Sequence, residues 1–320
     1  MTCSSVCVPI SAVDGNDTTF QISTDRNTAD LARSISAVGL LVPPTLMRTE
    51  DRLVIVNGFR RIAACRSLNQ TTVSAGILPA TATPRDCAEM AVAENALQRP
   101  LNLIERSRAL SLLSVYYEDT ADLAAASAKC GIPESPPMIR KLRGLCRLSP
   151  GIQAGIIDGT LSLAMASELQ RFDEAEREVL AKLLLTFRMS LGKQREILTM
   201  IEEISRREGL SIPELLRTPT ITSLLADDDT EPNVKVGRLR ELLKRRRYPA
   251  IQKSEEQAAA LIRALGLKNP MKLVLPPNLE GETFSLTLRF RNIAELRHLH
   301  HTLGKIIDRP ELDRLLSKDF

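Results

Sequence analysis

Aromatic residues are scarce in this sequence: they make up 3% of the 320 residues, and tryptophan is absent. Hydrophobic residues nevertheless reach 43%, so leucine, isoleucine, valine and alanine must supply the core. A core of small and aliphatic side chains favours packed helices over a β-sandwich. The length is sufficient for two or three domains, each able to bury a core of its own.

Long apolar runs are also missing. No stretch approaches the roughly 18 residues needed to cross a membrane, and no basic segment followed by an apolar one opens the chain, so we expect a cytoplasmic protein without a membrane partner. The six cysteines form no CxxC pair, which favours free thiols over zinc or disulfides. The three histidines fall together near residue 300 with no other type of ligand beside them, which indicates a solvated helix face rather than a metal site.

The net charge of +4 is too small to identify a nucleic-acid-binding protein, but the cations are clustered in two segments. One cluster follows a helix-turn signal near residue 140, and the other ends a predicted basic helix near residue 247. Such clusters on a balanced chain are typical of phosphate contact, although a solvated helix face is the commoner cause of either one alone. The predicted DNA-binding residues are Arg140, Lys141, Arg143, Arg147, Arg245, Arg246 and Arg247.

Hydrophobic periodicity predicts a multidomain, mostly α-helical chain. After a loose leader (residues 1–18), strand and helix patterns predict a small α/β domain over residues 19–92. Residues 93–217 are helical almost throughout, and residues 218–233, with an acidic run and two prolines, indicate a linker or surface loop. A basic helix and a β-β-α module fill residues 234–320. This module is too small to bury much core, which favours dimerisation through it; packing onto the basic helix is the alternative.

The segment LVIVNGFRRIAAC, residues 53–65, carries the clearest local signal for a binding site. A buried strand ends at Gly58 and a helix begins, so free backbone N–H groups and the positive end of the helix dipole coincide. Arg60 and Arg61 add bidentate donors, a combination that suits a phosphate, although a solvated helix start has the same pattern. Glu94 and Asn95 would suit Mg²⁺ and a nucleotide if they lay near that phosphate, and would be helix caps otherwise.

The order of these segments resembles the N-terminal domain of the ParB family of chromosome and plasmid partition proteins. The family shows a helix, a GLLQPI strand, GERRxRA, TVP and ENxxRxxLNPIE; the matching segments here are TADLARSISAVGLLVPPTLMR, LVIVNGFRRIAACRSLNQTTVSAGIL and AENALQRPLNLIE. Downstream, ADLAAASAKCGIPESPPMIRKLRGLCRLSPGIQAGIIDGTLSLAMASEL is similar to the family's helix-turn-helix, placed at about residues 121–147. The resemblance covers about residues 20–172, half of the chain.

This resemblance implies a ParB/sulfiredoxin-like α/β N-terminal domain, an all-helical middle domain with the helix-turn-helix, and a C-terminal module used for dimerisation. It implies CTP bound by Gly58, Arg60, Arg61 and Asn95, and Mg²⁺ held by Glu94, in a clamp that closes around double-stranded DNA. A homodimer, a ParA-type partner ATPase, a nucleoid-associated location and a weak CTP hydrolase activity belong to the same set of expectations.

Some positions depart from the family pattern. Phe59 replaces its glutamate, and Gln98 replaces the arginine of ENxxR, with Arg99 displaced by one residue. Pro136 and Pro137 open the second helix of the predicted helix-turn-helix, the end that usually reaches base edges. Two alternatives stay open. One is a helix-turn-helix transcription regulator without nucleotide binding, which Phe59 favours; the other is an enzyme of the sulfiredoxin or nuclease-like type.

Overall fold

The computed structural model describes residues 4–50, 52–227, 229–267, 270–276 and 283–317, apart from the side chain of Ile251. The chain divides into two compact units, Met1–Leu191 and Gly192–Phe320. The described residues are mostly helical, with a small mixed sheet in the first unit and a two-stranded sheet in the second. None of the described helices is both long and apolar enough to span a bilayer.

The strands of the first unit are β1 (Ser4–Pro9), β2 (Val13–Asp14), β3 (Thr45–Arg48), β4 (Leu53–Asn57) and β5 (Thr72–Ile77). Its helices are α1 (Ala29–Val38), α2 (Phe59–Ser67), α3 (Pro84–Gln98), α4 (Leu103–Leu113), α5 (Thr120–Lys129), α6 (Pro136–Leu142), α7 (Pro150–Ile157), α8 (Leu163–Leu169) and α9 (Glu174–Phe187). The second unit contains α10 (Leu191–Glu208, which begins at the boundary), α11 (Ile212–Leu216), α12 (Pro219–Ala226), α13 (Pro232–Arg247), α14 (Pro249–Ala264), β6 (Met271–Val274), β7 (Ser285–Leu288), α15 (Ile293–Ile307) and α16 (Pro310–Ser317).

The sheet of the first unit has the order β1-β5-β3-β4-β2. β3 pairs antiparallel with β4 and parallel with β5. Every residue of β4 is buried, as expected for a continuous apolar run that is covered on both faces. Ile55 of this strand and Ile62 of α2 belong to one apolar core with Ile35 of α1, so β4, α1 and α2 are held as a single body.

The prediction of a loose leader over residues 1–18 is wrong from Ser4 onward. β1 pairs antiparallel with β5, and β2 pairs in parallel with β4, so this segment forms both edges of the sheet. Val8, Ile10 and Val13 are buried in the core. The segment is rich in Cys, Ser and Thr and its apolar residues form no long run, so long-range pairing rather than local propensity decides its structure.

The prediction of a linker over residues 218–233 is wrong for Pro219–Ala226, which form α12 with Ile221 fully buried. Pro219 and Pro232 lie in the first turns of α12 and α13, where the missing N–H of proline costs no hydrogen bond. Residue 228 lies outside the described residues. The domain boundary predicted at 92/93 falls inside α3, and the compact units divide at Leu191 instead.

Two short helices lie where the helix-turn-helix is predicted. α5 ends at Lys129 with Gly131 in the left-handed region (φ 88°), and α6 begins at Pro136 after the N-cap Ser135. In the second unit, β6 and β7 pair antiparallel and α15 follows, with Leu299 and Ile306 buried. Residues 277–282 and 318–320 of the predicted β-β-α module lie outside the described residues.

Candidate functional site

A cavity of about 390 Å³ lies where β4 ends and α2 begins. Its lining includes Gly58, Arg60, Arg61, Glu94 and Asn95, the five residues that the sequence motifs assign to a nucleotide and its metal. The structure therefore brings the glycine-arginine segment and the end of α3 together on one cavity. Apolar side chains of α1 and of the loop after it complete the lining: Leu31, Ile35, Leu40, Leu41 and Val42.

Gly58 is the N-cap of α2 and has φ 93° and ψ 27°, the left-handed conformation that side chains disfavour. A Cβ atom at this position would lie 2.7 Å from Cβ and 2.9 Å from Cα of Pro44. Glycine is thus required twice, by the backbone angle and by the neighbouring chain. Its small size lets the loop over residues 39–44 lie directly against the first turn of α2.

Arg61 holds this loop in place. Its Nη1 donates to the carbonyl oxygens of Val42 (2.9 Å) and Pro43 (2.8 Å), and its Nη2 donates to Oε1 of Glu94 (3.0 Å). The side chain is only 16% exposed. Because the planar guanidinium is fixed at three points, an anion that enters the cavity meets a cation that is already oriented.

Arg60 is more exposed and connects α2 to the segment before α1. Its Nε donates to the carbonyl oxygen of Asn27 (3.0 Å), and its Nη1 forms an ion pair with Asp25 (2.9 Å). Both partners are at the surface, where ion pairs contribute little free energy. An anionic ligand can therefore recruit Arg60 at a lower cost than a buried arginine.

Glu94 is the one carboxylate in the described lining of this cavity. It accepts hydrogen bonds from Arg61 and from Nε2 of Gln98 (3.4 Å), while Nδ2 of Asn95 donates to the carbonyl oxygen of Ala91 in its own helix (2.8 Å). The described residues contain no group of three or more His, Cys, Asp or Glu side chains suited to a metal. This donor set fits Mg²⁺ only as an ion that also binds the phosphates of a nucleotide.

Arg99 also lines the cavity, and its partner is Glu105, the last residue of the segment AENALQRPLNLIE, to which the sequence motifs assign no role. Nη1 and Nη2 of Arg99 donate to the two carboxylate oxygens of Glu105, each at 2.7 Å, and Nη2 donates to Oγ of Ser23 (3.3 Å). Glu105 is 1% exposed and accepts further bonds from the backbone N–H groups of Thr24 (2.9 Å) and Asn102 (3.1 Å). Burial raises the pKa of Glu105, but the bonds from Arg99 and the two backbone groups outweigh it and lower the pKa to about 2.

This network predicts acid sensitivity. The folded-state pKa of Glu105 lies below its unfolded value, so its ionised form stabilises the fold above about pH 4.5, and this contribution is lost as the pH falls toward 2. A shift of this size corresponds to about 3 kcal/mol at neutral pH. We expect the free energy of unfolding of Glu105→Gln to fall below that of the natural chain by a similar amount at pH 7. Urea unfolding of both proteins at pH 7, 5, 4 and 3 measures this gap, which should narrow as the pH falls; a gap that stays constant would contradict the assignment.

Cys65 is the cysteine nearest to the arginine pair in the sequence, and sulfiredoxin-type chemistry requires a reactive cysteine at the phosphate loop. The structure places Cys65 in the apolar core with no exposed surface, and burial raises the pKa of its thiol. The described lining of the cavity contains no cysteine. This geometry disfavours the sulfiredoxin-type alternative.

The basic cluster of α6 and the turn after it is exposed. Ile139 and Leu142 face the core, which leaves the cations of the same helix on the outer face. The described residues offer these cations no ion-pair partner, so their charge is available to phosphates. The exposed cations are Arg140, Lys141, Arg143 and Arg147.

The basic helix α13 is different, because its cations pair with carboxylates of α10 and of α13 itself. Arg246 binds Glu208 (2.6 Å) and Arg247 binds Glu203 (2.9 Å), both on α10, while Arg245 binds Glu241 (2.6 Å). Arg240 and Lys244 share Glu196 of α10. The charge that the sequence concentrates in this segment is thus largely compensated within the second unit.

No known family model and no curated protein matches this chain. It is similar to solved structures of C-terminally truncated chromosome-partitioning protein ParB from Caulobacter crescentus. The complex with CTP-gamma-S is 22% identical, covers 57% of this chain and 99% of that one, and has a TM-score of 0.26. The complex with the centromeric parS site is 19% identical, with coverage of 59% and 96% and a TM-score of 0.34.

A third similar structure is a pNOB8-like ParB-N domain, which is 13% identical to this chain. The match covers 56% of this chain and 89% of that domain, with a TM-score of 0.38. The structural neighbours are thus ParB chromosome-partitioning proteins and a ParB N-domain. The TM-scores of these three structures are below 0.5, and this likeness by itself assigns no function to the chain.

Proposed function

We propose that this chain is a ParB-like DNA-binding protein that is gated by CTP and acts in the partition of plasmid or chromosome DNA. The observation that carries the proposal is the convergence of Gly58, Arg60, Arg61, Glu94 and Asn95 on one cavity. A nucleoside triphosphate needs oriented cations and backbone N–H groups for its phosphates and apolar surface for its base and sugar. The cavity combines the N-terminus of α2 with the apolar residues of α1 and its following loop.

In this proposal each part of the cavity has one task. The first turn of α2 and the two arginines bind the phosphates, and Asn95 contacts the nucleotide. Glu94 would hold Mg²⁺, which supplies further neutralisation of phosphate charge. A phosphate near Arg61 competes with Glu94 for Nη2. The same guanidinium donates to the carbonyl oxygens of Val42 and Pro43. If a phosphate displaces Glu94 and the guanidinium shifts, the loop over residues 39–44 shifts with it, so ligand binding is coupled to the conformation of this loop.

DNA binding is assigned to the exposed cluster Arg140, Lys141, Arg143 and Arg147 rather than to α13. Lys and Arg contacts to phosphate position a protein on DNA without reading its sequence. Pro136 and Pro137 remove two N–H donors from the start of α6, so this helix offers fewer groups for base contact. The DNA grip is therefore mostly electrostatic, within a cytoplasmic, nucleoid-associated protein, and a ParA-type partner ATPase stays a prediction.

Calorimetric titration of the full chain with CTP, ATP and GTP, each with and without Mg²⁺, tests the nucleotide proposal. CTP is the first probe because one of the similar ParB structures is a complex with CTP-gamma-S, an analogue of CTP. We expect heat of binding with Mg²⁺ and CTP and a weaker response with the purine nucleotides. If no nucleotide binds, the gated-clamp proposal fails.

The second candidate is a DNA-binding regulator without nucleotide. One observation favours it: Arg60, Arg61 and Glu94 all have partners within the chain, so the cavity has no uncompensated charge without a ligand. Such a protein would bind DNA through the same α6 cluster and show the same DNA affinity with and without CTP. Measurement of DNA affinity at saturating CTP separates the two candidates.

We also propose a homodimer joined through the C-terminal module. Apolar side chains remain exposed on and beside its second strand, including Leu286 and Phe290, and a second copy could cover them. Leu286→Lys is expected to convert a dimer to a monomer in light scattering. Thr287→Lys, on the next position of β7 and hence the other face, is the matched control and should leave the dimer intact. A Leu286→Lys protein that stays dimeric would contradict this interface.

A further inference from the structure

Asn57, the last residue of β4, lines the cavity and differs from its polar neighbours there in its hydrogen bonding. It is 6% exposed, and its Nδ2 has no hydrogen-bond partner. The polar groups around it differ in this respect, because Arg60, Arg61, Glu94 and Asn95 are each bonded within the chain. A buried amide without a partner costs free energy, and buried polar groups of native proteins are normally paired.

The position does not need a polar residue for folding. Asn57 ends the run Leu53, Val54, Ile55 and Val56, all buried in the apolar core, so a leucine would continue the pattern. The strand lies between β3 and β2 in the sheet, and Asn57 pairs with Thr45 of β3, next to a shift in the register of the two strands. The backbone that carries the amide is therefore fixed, and the side chain is presented to the cavity by a rigid element.

The surroundings specify the kind of atom that the amide can bind. Nδ2 is a donor, so its missing partner is an acceptor. Gly58, the N-cap of α2, follows directly, and the positive end of the helix dipole together with Arg60 and Arg61 favours an acceptor with negative charge. A hydrogen bond to an ionised oxygen is stronger than one to a neutral oxygen, particularly where water is excluded.

We propose that Asn57 is a further ligand-binding residue of this cavity and that its carboxamide donates from Nδ2 to a phosphate oxygen of the bound nucleotide. The inference rests on the proposed nucleotide site, since the phosphate belongs to that ligand. It adds a neutral donor at the floor of a site whose other phosphate ligands are arginines. In the ligand-free protein the amide has no hydrogen-bond partner, which lowers the free energy of unfolding; the bound phosphate then supplies that partner.

Two full-length variants test this assignment. Asn57→Leu replaces the amide with an apolar side chain of similar size, and Asn57→Asp keeps the shape but replaces the donor with a negative charge. We expect Asn57→Leu to melt at the same temperature as the natural chain or higher when no ligand is present. Its affinity for CTP with Mg²⁺ should fall about 10- to 100-fold, and that of Asn57→Asp should fall further.

The probes are CTP and inorganic triphosphate, both with Mg²⁺, measured by calorimetry. Equal losses for the two probes support a phosphate contact, whereas a loss for CTP alone overturns it. If Asn57→Leu binds both probes within about twofold of the natural chain, the residue is not a ligand and the nucleotide site stands. If Asn57→Asp binds as well as the natural chain, the carboxamide oxygen rather than Nδ2 faces the ligand, and the proposal fails. If the natural chain binds neither probe, the nucleotide site fails together with the role of Asn57.

Discussion

Replacement of Arg61 by alanine is expected to reduce the affinity for CTP with Mg²⁺ at least about 100-fold. The guanidinium is the most enclosed cation of the cavity and the one whose bonds join α2, the loop and α3. Its removal deletes a charge-assisted donor to phosphate, a contribution of roughly 1.5–3 kcal/mol. It also leaves Glu94 without its cation, so an unpaired negative charge faces the incoming phosphates.

Arg33→Ala is the matched control for this experiment. Arg33 lies on α1, is 81% exposed and pairs only with Asp30 among the described residues, so its loss should change CTP affinity by less than about twofold. Arg61→Lys should be intermediate, because it keeps the charge and loses the planar fork. An Arg61→Ala protein that binds CTP like the natural chain would remove Arg61 from the site.

Replacement of both Arg140 and Arg143 by alanine is expected to weaken DNA binding by about 10- to 100-fold at moderate salt and to lower its salt dependence. Each phosphate contact contributes about 0.9 to the slope of log affinity against log salt, so two lost contacts should reduce the slope by about two. Both side chains are exposed, Arg140 on the outer face of α6 and Arg143 directly after its last residue, so the fold should be unaffected. Fluorescence anisotropy with a DNA duplex at several salt concentrations measures both quantities.

The control is a pair of arginines on α13, Arg238→Ala with Arg245→Ala. Both residues are exposed, and replacing them removes the same amount of charge as the α6 variant. In the free protein, however, Arg238 pairs with Asp227 and Arg245 pairs with Glu241. We expect DNA affinity to change by less than about threefold. If the α13 pair lowers affinity and slope as much as the α6 pair, then α13 contacts DNA and the contrast between paired and unpaired clusters has no functional meaning.

The local elements of the α/β region could be predicted from the sequence, because their signals are local. Apolar runs mark β3, β4 and β5, and Gly39 and Gly58 mark a helix end and a helix start. The N-terminal strands could not be predicted, since β1 and β2 depend on partners more than 35 residues away. The helix α12 could not be predicted either. It is too short to show a clear helical period in its apolar residues, and a buried isoleucine, Ile221, stabilises it.

The site shows the same division. Gly58, Arg60, Arg61, Glu94 and Asn95 were found because their types and order resemble a family motif, and the structure places them on one cavity. The role of Arg99 and Glu105 was not visible, since a bidentate pair depends on how α3 and α4 meet. The pairing of the α13 cations could not be predicted either, because their carboxylate partners on α10 lie about 40 residues earlier in the chain. Whether an asparagine is bonded is likewise a property of three-dimensional neighbours.

The N-terminal strands have a consequence for the cavity. β1 and β2 come from one short segment, and they lie at opposite edges of the sheet, so a single stretch of chain covers the outer edge of β5 and the start of β4, Leu53 and Val54. Shortening the chain by its first fourteen residues would turn β4 into an edge strand, and unpaired edges are prone to join other chains. That strand carries Asn57 and leads into Gly58, so residues that do not line the cavity support the strand on which part of it is built.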